Sequence, residues 1–227
     1  MRVLAIGDIH GCSCQLDDLL GWVRPAPEDL VVALGDYVDR GPDTRGVLDR
    51  LIELKRGGMR LVCLRGNHEV MMLAARDGER SDWLDVGGAQ TLRSYGPAPG
   101  LASTFEDVPA EHWEFLELNL LDYYETDRFI FAHAGVLPDL DLDEQPDYAL
   151  YWDFLGDAMR HQSGKTVVCG HTSQKSGVPK VVPGAVCIDT YAYGGGWLTC
   201  LDTASGRYWQ TATGGRRREG RVDYDED

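Results

Sequence analysis

Five short apolar runs, each ending in a tight turn that carries a metal-type ligand, constrain this chain more than any other feature. Leu4-Ala5-Ile6 leads into Gly7-Asp8-Ile9-His10-Gly11, and Leu30 to Leu34 into Gly35-Asp36-Tyr37-Val38-Asp39-Arg40-Gly41. Leu61 to Leu64 leads into Arg65-Gly66-Asn67-His68-Glu69. Phe129-Ile130-Phe131 leads into Ala132-His133-Ala134-Gly135, and Val167-Val168-Cys169 into Gly170-His171-Thr172. Buried strands of α/β folds read as such runs, and ligands collect beyond their carboxyl ends. Strands ending at a common edge would bring Asp8, Asp36, Asp39, Asn67, His10, His68, His133 and His171 towards one point. That set describes a two-metal hydrolytic site.

The residue types fit that chemistry. Carboxylate, amide and imidazole are borderline-hard donors suited to Mn, Fe or Zn rather than to copper or iron–sulfur centres. Two such ions about 3.5–4 Å apart can share a carboxylate and a water, whose pKa falls until hydroxide forms near neutral pH. Glycines beside the ligands permit tight turns and close approach of a phosphate.

In their order and spacing, the first three blocks resemble the signature blocks of the phosphoprotein phosphatase family of calcineurin-like metallophosphoesterases. His133-Ala134-Gly135, Gly170-His171-Thr172, Ile188-Asp189-Thr190 and Gly195-Gly196-Trp197-Leu198-Thr199 extend the likeness over roughly residues 1–211. The resemblance implies an α/β fold of two mixed β-sheets packed as a sandwich and flanked by helices. It implies two divalent cations, with Asp8 and His10 on the first, Asp36 bridging, and Asn67, His133 and His171 on the second. His68 would be the general acid, oriented and kept cationic by Asp39. Arg40 would bind phosphate through its planar guanidinium. Arg65 would contact the same phosphate or, alternatively, pair with a carboxylate.

The same resemblance sets the expected activity. Asp39-Arg40-Gly41 favours a bacterial-type serine/threonine protein phosphatase, because the diadenosine tetraphosphatase branch often alters the Asp39 position. Hydrolysis of dinucleoside polyphosphates or another small phosphoester is the alternative, so the expected partner is a phosphorylated protein or a small phosphoester. A non-catalytic metal-holding protein would need a broken catalytic set, and every position here is filled. One departure stands out. Many family members carry a second phosphate-binding arginine after a tryptophan, whereas Tyr151-Trp152-Asp153-Phe154 has none and Arg160 is the sole arginine between Gly135 and Gly170. The polar surroundings of Arg160 read as surface. His112 and His161 match no block, and Glu69 reads as a helix cap or a supporting hydrogen-bond partner.

Composition adds limits. A formal charge of −15 argues against generic nucleic-acid binding, which needs a basic footprint. No apolar stretch approaches the ~20 residues of a membrane span. The N-terminus passes straight into a strand and a ligand turn, which predicts no removable signal peptide and a cytoplasmic protein. Cys63, Cys169, Cys187 and Cys200 sit in apparent strands as apolar filler. Cys12 and Cys14 follow the first ligand turn and read as unpaired thiols, with a redox or metal role as the alternative.

Periodicity places helices between the early strands. Leu16, Leu19, Leu20 and Val23 share one face before Pro25 and Pro27. Pro42 and Asp43 open a second helix with Val47, Leu48, Leu51 and Leu54 inward. A third is expected from Glu69 to about Ala75, and a fourth from Pro109 through Leu120. Hairpins are predicted for Tyr123–Phe131 and Leu198–Thr211. A loop is expected from Ser94 to Thr104. Residues 1–213 read as one catalytic domain with no obligate partner, and 214–227 as a flexible charged tail.

Overall fold

The computed structural model describes residues 1–79, 82–97 and 103–224. Strands β1 (Val3–Ile6), β2 (Leu30–Ala33) and β3 (Arg60–Leu64) run parallel and are linked by helices α1 (Ser13–Val23) and α2 (Thr44–Arg56). Helix α3 (Asn67–Arg76) leaves β3 directly, followed by α4 (Gly88–Ser94), α5 (Ala110–Leu118) and the short parallel strand β4 (Leu120–Leu121). A second sheet begins with the antiparallel pair β5 (Tyr123–Glu125) and β6 (Phe129–Ala132). After α6 (Asp147–Tyr151), it adds β7 (Thr166–Cys169), β8 (Lys180–Val182) and β9 (Ala185–Cys187). The chain then returns to the first sheet through β10 (Leu198–Asp202), β11 (Arg207–Ala212) and β12 (Arg216–Arg221). The sheet orders are β12-β11-β10-β1-β2-β3-β4 and β5-β6-β7-β9-β8.

Strand alternation explains the layering. Ala5, Val32, Leu34 and Leu64 from the first sheet pack with Phe129, Phe131, Val168 and Val186 from the second. The intervening residues Leu4, Ile6, Val31 and Ala33 turn outward onto Leu16, Leu19, Val47, Leu48 and Leu51 of the helices. On the far side, Ile130, Ala132, Val167 and Cys169 pack under Leu150 and Tyr151 of α6. The expected sandwich flanked by helices is therefore present. Because β1, β2, β3, β6 and β7 all run the same way within their parallel ladders, their carboxyl ends can share one edge.

Local expectations hold with small shifts. In α1 the four expected residues are the buried ones, and a left-handed Arg24 ends the helix. Asp43 caps α2 by accepting the Gly46 N–H at 3.0 Å. There Ile52 is buried, while Leu54 is only partly covered. The last helix ends at Leu118, and Leu120 instead joins the edge of the sheet beside Cys63. All six cysteines are free thiols. Residues 98–102 of the expected Ser94–Thr104 loop lie outside the described residues. Among the described residues no helix is long and apolar enough to cross a membrane.

The expected flexible tail from Gly214 is corrected. Residues 216–221 form β12, registered along β11 from Arg207↔Arg221 to Ala212↔Arg216. Arginines that read as a solvated run are anchored by aromatic faces: Arg216 and Arg218 lie 5.0 and 4.2 Å from the Trp197 ring. Arg218 also donates to Gln210 Oε1 at 2.6 Å, and Val222 is buried beyond the strand. Cation–π contact and main-chain pairing supply what apolar anchors would otherwise provide. Residues 225–227 of that stretch lie outside the described residues.

Candidate metal centre

Every expected ligand residue sits just past a strand end. Asp8 and His10 follow β1; Asp36, Asp39 and Arg40 follow β2; Asn67 and His68 open α3 after β3; His133 follows β6 and His171 follows β7. Among the described residues two groups of donor atoms form, each within 4.8 Å: His10, Asp36 and His68 in one, and Asp36, His133 and His171 in the other. Asp36 belongs to both. Its Oδ2 lies 3.3 Å from His10 Nε2, and its Oδ1 lies 3.4 Å from His133 Nε2.

Hydrogen bonds on the far side of each ring fix which nitrogen faces inward. His10 Nδ1 donates to the Val38 carbonyl at 2.8 Å, and His133 Nδ1 donates to the Leu34 carbonyl at 2.9 Å. Each therefore presents an Nε2 lone pair. His171 Nε2 donates to the Trp152 carbonyl at 3.2 Å, which leaves Nδ1 as its lone pair. His133 Nε2 then faces Asn67 Oδ1 at 3.1 Å, lone pair towards lone pair. Asp8 Oδ1 and His68 Nε2 are buried with no hydrogen-bond partner. Converging acceptors and an orphaned carboxylate oxygen are what a site for divalent cations presents, so the donor set fits two such ions.

Electrostatics agree. Burial, with Asp189 and Asp36 nearby, pushes Asp8 well above the usual carboxylate range. Burial lowers His10 to about 3, and burial with His133 lowers His171 to about 4, so both rings are neutral at pH 7, the form a metal ligand needs. Burial would raise Asp36, but His133, His68, His10 and His171 together hold it below its ordinary value. For His68, burial disfavours the cation, yet Asp36 and Asp39 outweigh it and hold the imidazole above its ordinary value. Asp39 Oδ2 accepts from His68 Nδ1 at 2.6 Å and from Trp83 Nε1 at 2.8 Å, while Oδ1 accepts from Thr91 at 2.7 Å. The dyad is thus fixed from three sides.

The loops are held under strain. Among the described residues seven non-glycine residues have positive φ, and His10, Asp36, Asp39, Arg40 and His171 are five of them. Such backbone persists where the surroundings over-determine it. Glu69 supplies much of that determination. Its buried carboxylate accepts the N–H groups of Asp36, Tyr37, Val38 and Gly66 at 2.8–3.2 Å, tying the Asp36 loop to α3. Gly35, at φ 104°, is required as well: a Cβ there would lie 2.7 Å from the Gly66 nitrogen.

Arg40 Nη1 lies 3.0 Å from His10 Nε2, with the guanidinium 4.8 Å from the Tyr193 ring centre, so it reaches into the centre. Arg65 has a carboxylate near it but no hydrogen bond to it. Its guanidinium is 3.9 Å from Asp122, which accepts the Tyr151 hydroxyl at 2.5 Å. Arg160 is exposed and lies against Gly184, at the amino end of β9 and so away from the ligand edge. His112 and His161 are buried and hydrogen-bonded elsewhere, His112 between Tyr95 and Asp49. Trp83 and Thr91, which hold Asp39, had no sequence signal, because they lie in a stretch without motifs. Asp189 was visible only through its Ile188-Asp189-Thr190 block. Its carboxylate accepts from Ser173 and from the Tyr191 N–H behind Asp8.

The model of the calcineurin-like phosphoesterases matches residues 1–197. This chain belongs to that family. A symmetrical bis(5'-nucleosyl)-tetraphosphatase of Paracidovorax citrulli is 35% identical to this calcineurin-like phosphoesterase over 66% of it and 49% of the relative. Serine/threonine-protein phosphatase 1 of Salmonella typhimurium is 44% identical over 38% of this chain and 39% of its own. The chain thus spans about half the length, or less, of the curated relatives it matches. A crystal structure provisionally described as a diadenosine tetraphosphatase superposes with a TM-score of 0.64 at 22% identity, covering 98% of this chain and 94% of that one. At that identity the likeness concerns the fold.

Proposed function

We propose that this phosphoesterase hydrolyses small phosphoric esters and anhydrides at a two-cation centre, with dinucleoside polyphosphates as its substrate class. One observation carries the reading: the Asp36 carboxylate lies between His10 on one side and His133 on the other, and His68, held by Asp39, points its Nε2 at the same carboxylate from 4.0 Å. Asp8, His10, Asp36, Asn67, His133 and His171 would hold the cations, and the donor types suit Mn, Fe or Zn. Bound there, such ions would supply Lewis acidity to phosphoryl oxygens and to an attacking water.

The chain's own residues supply the rest. Arg40 anchors a phosphate oxygen through its guanidinium. His68, kept cationic by Asp39, gives the Nε2 proton to the departing oxygen and so avoids a free alkoxide or phosphate anion. Asp39 cannot swing away, because Trp83 and Thr91 hold both of its oxygens.

On substrate, Asp39-Arg40-Gly41 pointed first to phosphoproteins. The relatives support the other reading better. Tetraphosphatases of Paracidovorax citrulli, Ralstonia nicotianae and Pseudomonas putida match 59–66% of the chain, against 38% for the Salmonella protein phosphatase. Dephosphorylation of serine or threonine in proteins remains the second reading, favoured by the 44% identity of that shorter match. Purified protein supplied with Mn²⁺ and assayed in parallel on diadenosine tetraphosphate and a phosphoserine peptide separates them. The expected result is cleavage to two ADP, with kcat/KM at least ~10-fold above that for the peptide. A preference for the peptide, or no turnover of the dinucleotide, would sink the proposal.

A further inference from the structure

Beside the metal centre, a cavity of about 310 Å³ lies between the start of α1, the β11–β12 turn and the loop that follows Asp189. Its lining is mostly apolar, with Pro42, Ala192, Tyr193 and Ala212 as walls; Gln15, Thr213 and Asp18, the last paired with Arg217 at 3.0 Å, supply polar groups. The volume is at the lower end of the ~300–1,000 Å³ usual for ligand pockets. No step described above uses this cavity.

Its position is what gives it meaning. Tyr193 is shared between cavity and centre: its ring packs edge-on against His10 at 4.9 Å and carries the Arg40 guanidinium 4.8 Å from its centre. Pro42 is two residues past Arg40, and Cys12, also in the lining, is two residues past His10. A group linked to a phosphate at Arg40 therefore has an aromatic wall and an apolar slot next to it. Gln15 Nε2 donates to Thr213 Oγ1 at 3.4 Å, which leaves the amide oxygen of Gln15 free to accept. A flat heterocycle with an exocyclic amine matches that arrangement.

We propose that this cavity is a nucleoside subsite, taking one purine base of a dinucleoside polyphosphate against Tyr193 while the phosphate chain runs to Arg40 and the metal centre. The assignment rests on the dinucleotide reading of the substrate. Stacking of a base on an aromatic side chain is commonly worth about 10- to 100-fold in affinity, so the subsite should show mainly in KM.

Thr213→Trp and Cys14→Trp each place a bulky ring in the cavity from an exposed position, away from the ligand residues. Two readouts apply to both variants and the wild type. The first is saturation-transfer NMR with adenosine on the protein without added metal. The second is KM for diadenosine tetraphosphate and for inorganic tripolyphosphate with Mn²⁺. Adenosine should receive transfer from the wild type and lose it in either variant. KM for the dinucleotide should rise at least ~10-fold while KM for tripolyphosphate stays unchanged. Loss of adenosine contact in the variants, even if the dinucleotide proves not to be hydrolysed, keeps the subsite and removes only the substrate reading. No transfer to adenosine from the wild type, or undiminished transfer and unchanged dinucleotide KM in both variants, overturns the subsite.

Discussion

Glu69→Gln keeps the size of the side chain that ties two ligand loops together and removes its charge. The native Oε2 accepts the Asp36 and Gly66 N–H groups, both at 2.9 Å, and Oε1 accepts those of Tyr37 and Val38 at 2.8 and 3.2 Å. A glutamine oxygen can serve one of these pairs, but its NH₂ group then faces two N–H donors. Hydrogen bonds to a charged group contribute roughly 1.5–3 kcal/mol each, so losing two should cost about 3–6 kcal/mol. Domains of this kind have only about 5–15 kcal/mol in total, so the variant should be marginal. The assay is urea unfolding with chelator present, so that bound metal adds nothing to either protein. It should be run near pH 8, because burial and the Asp36 carboxylate push Glu69 up to about 7. A variant within about 1 kcal/mol of wild type would refute the view that this carboxylate holds the Asp36 loop.

Other outcomes follow from the same geometry. His68→Asn should keep its metal content and lose roughly 10²–10⁴ in turnover on a phosphoserine peptide. Its loss on p-nitrophenyl phosphate, whose leaving group needs little protonation, should be smaller, and equal losses would assign His68 another role. Arg40→Ala should cost at least ~10-fold in kcat/KM and weaken inhibition by inorganic phosphate, while Arg160→Ala changes neither. Asp29 is raised by burial but held down to about 2 by the N–H groups of Arg2 and Ala26 and the Arg2 guanidinium. The sign is that of a depressed acid: its stabilisation is full above about pH 4 and fades as pH falls towards 2. Wild type should therefore exceed Asp29→Asn by up to about 2 kcal/mol at pH 7, with the gap shrinking at pH 3.

How much was legible in the sequence follows from which interactions are local. The β1, β2 and β3 runs and their ligand turns were readable because strand, turn and ligand lie within ten residues of one another. Which face each residue takes was not: Leu4 and Ile6 pack on the helices and Ala5 on the second sheet, a division that an all-apolar run does not display. Distant partners were not readable. Trp83 and Thr91 meet Asp39 across 44 and 52 residues, and nothing near them marks the encounter. The neighbour of Arg65 was equally unreadable: Asp122, 3.9 Å away, follows it by 57 residues. The strand β12 was missed for a related reason. Its anchors are arginine faces laid on Trp197 and a register along β11, and neither leaves an apolar pattern in residues 216–221.

Metal binding by wild type and Asp36→Asn, read together with turnover, tests the central claim most directly. Protein stripped with chelator and re-equilibrated with Mn²⁺ is analysed by mass spectrometry for bound metal and assayed on diadenosine tetraphosphate and p-nitrophenyl phosphate. Because Asp36 is the one residue common to both donor groups, wild type should bind two equivalents and Asp36→Asn should lose metal and most activity on either substrate together. Far-UV circular dichroism should show the variant still folded, since the core packs around the strands rather than the ligands. A folded Asp36→Asn protein that keeps both metals and near-normal turnover would contradict the account.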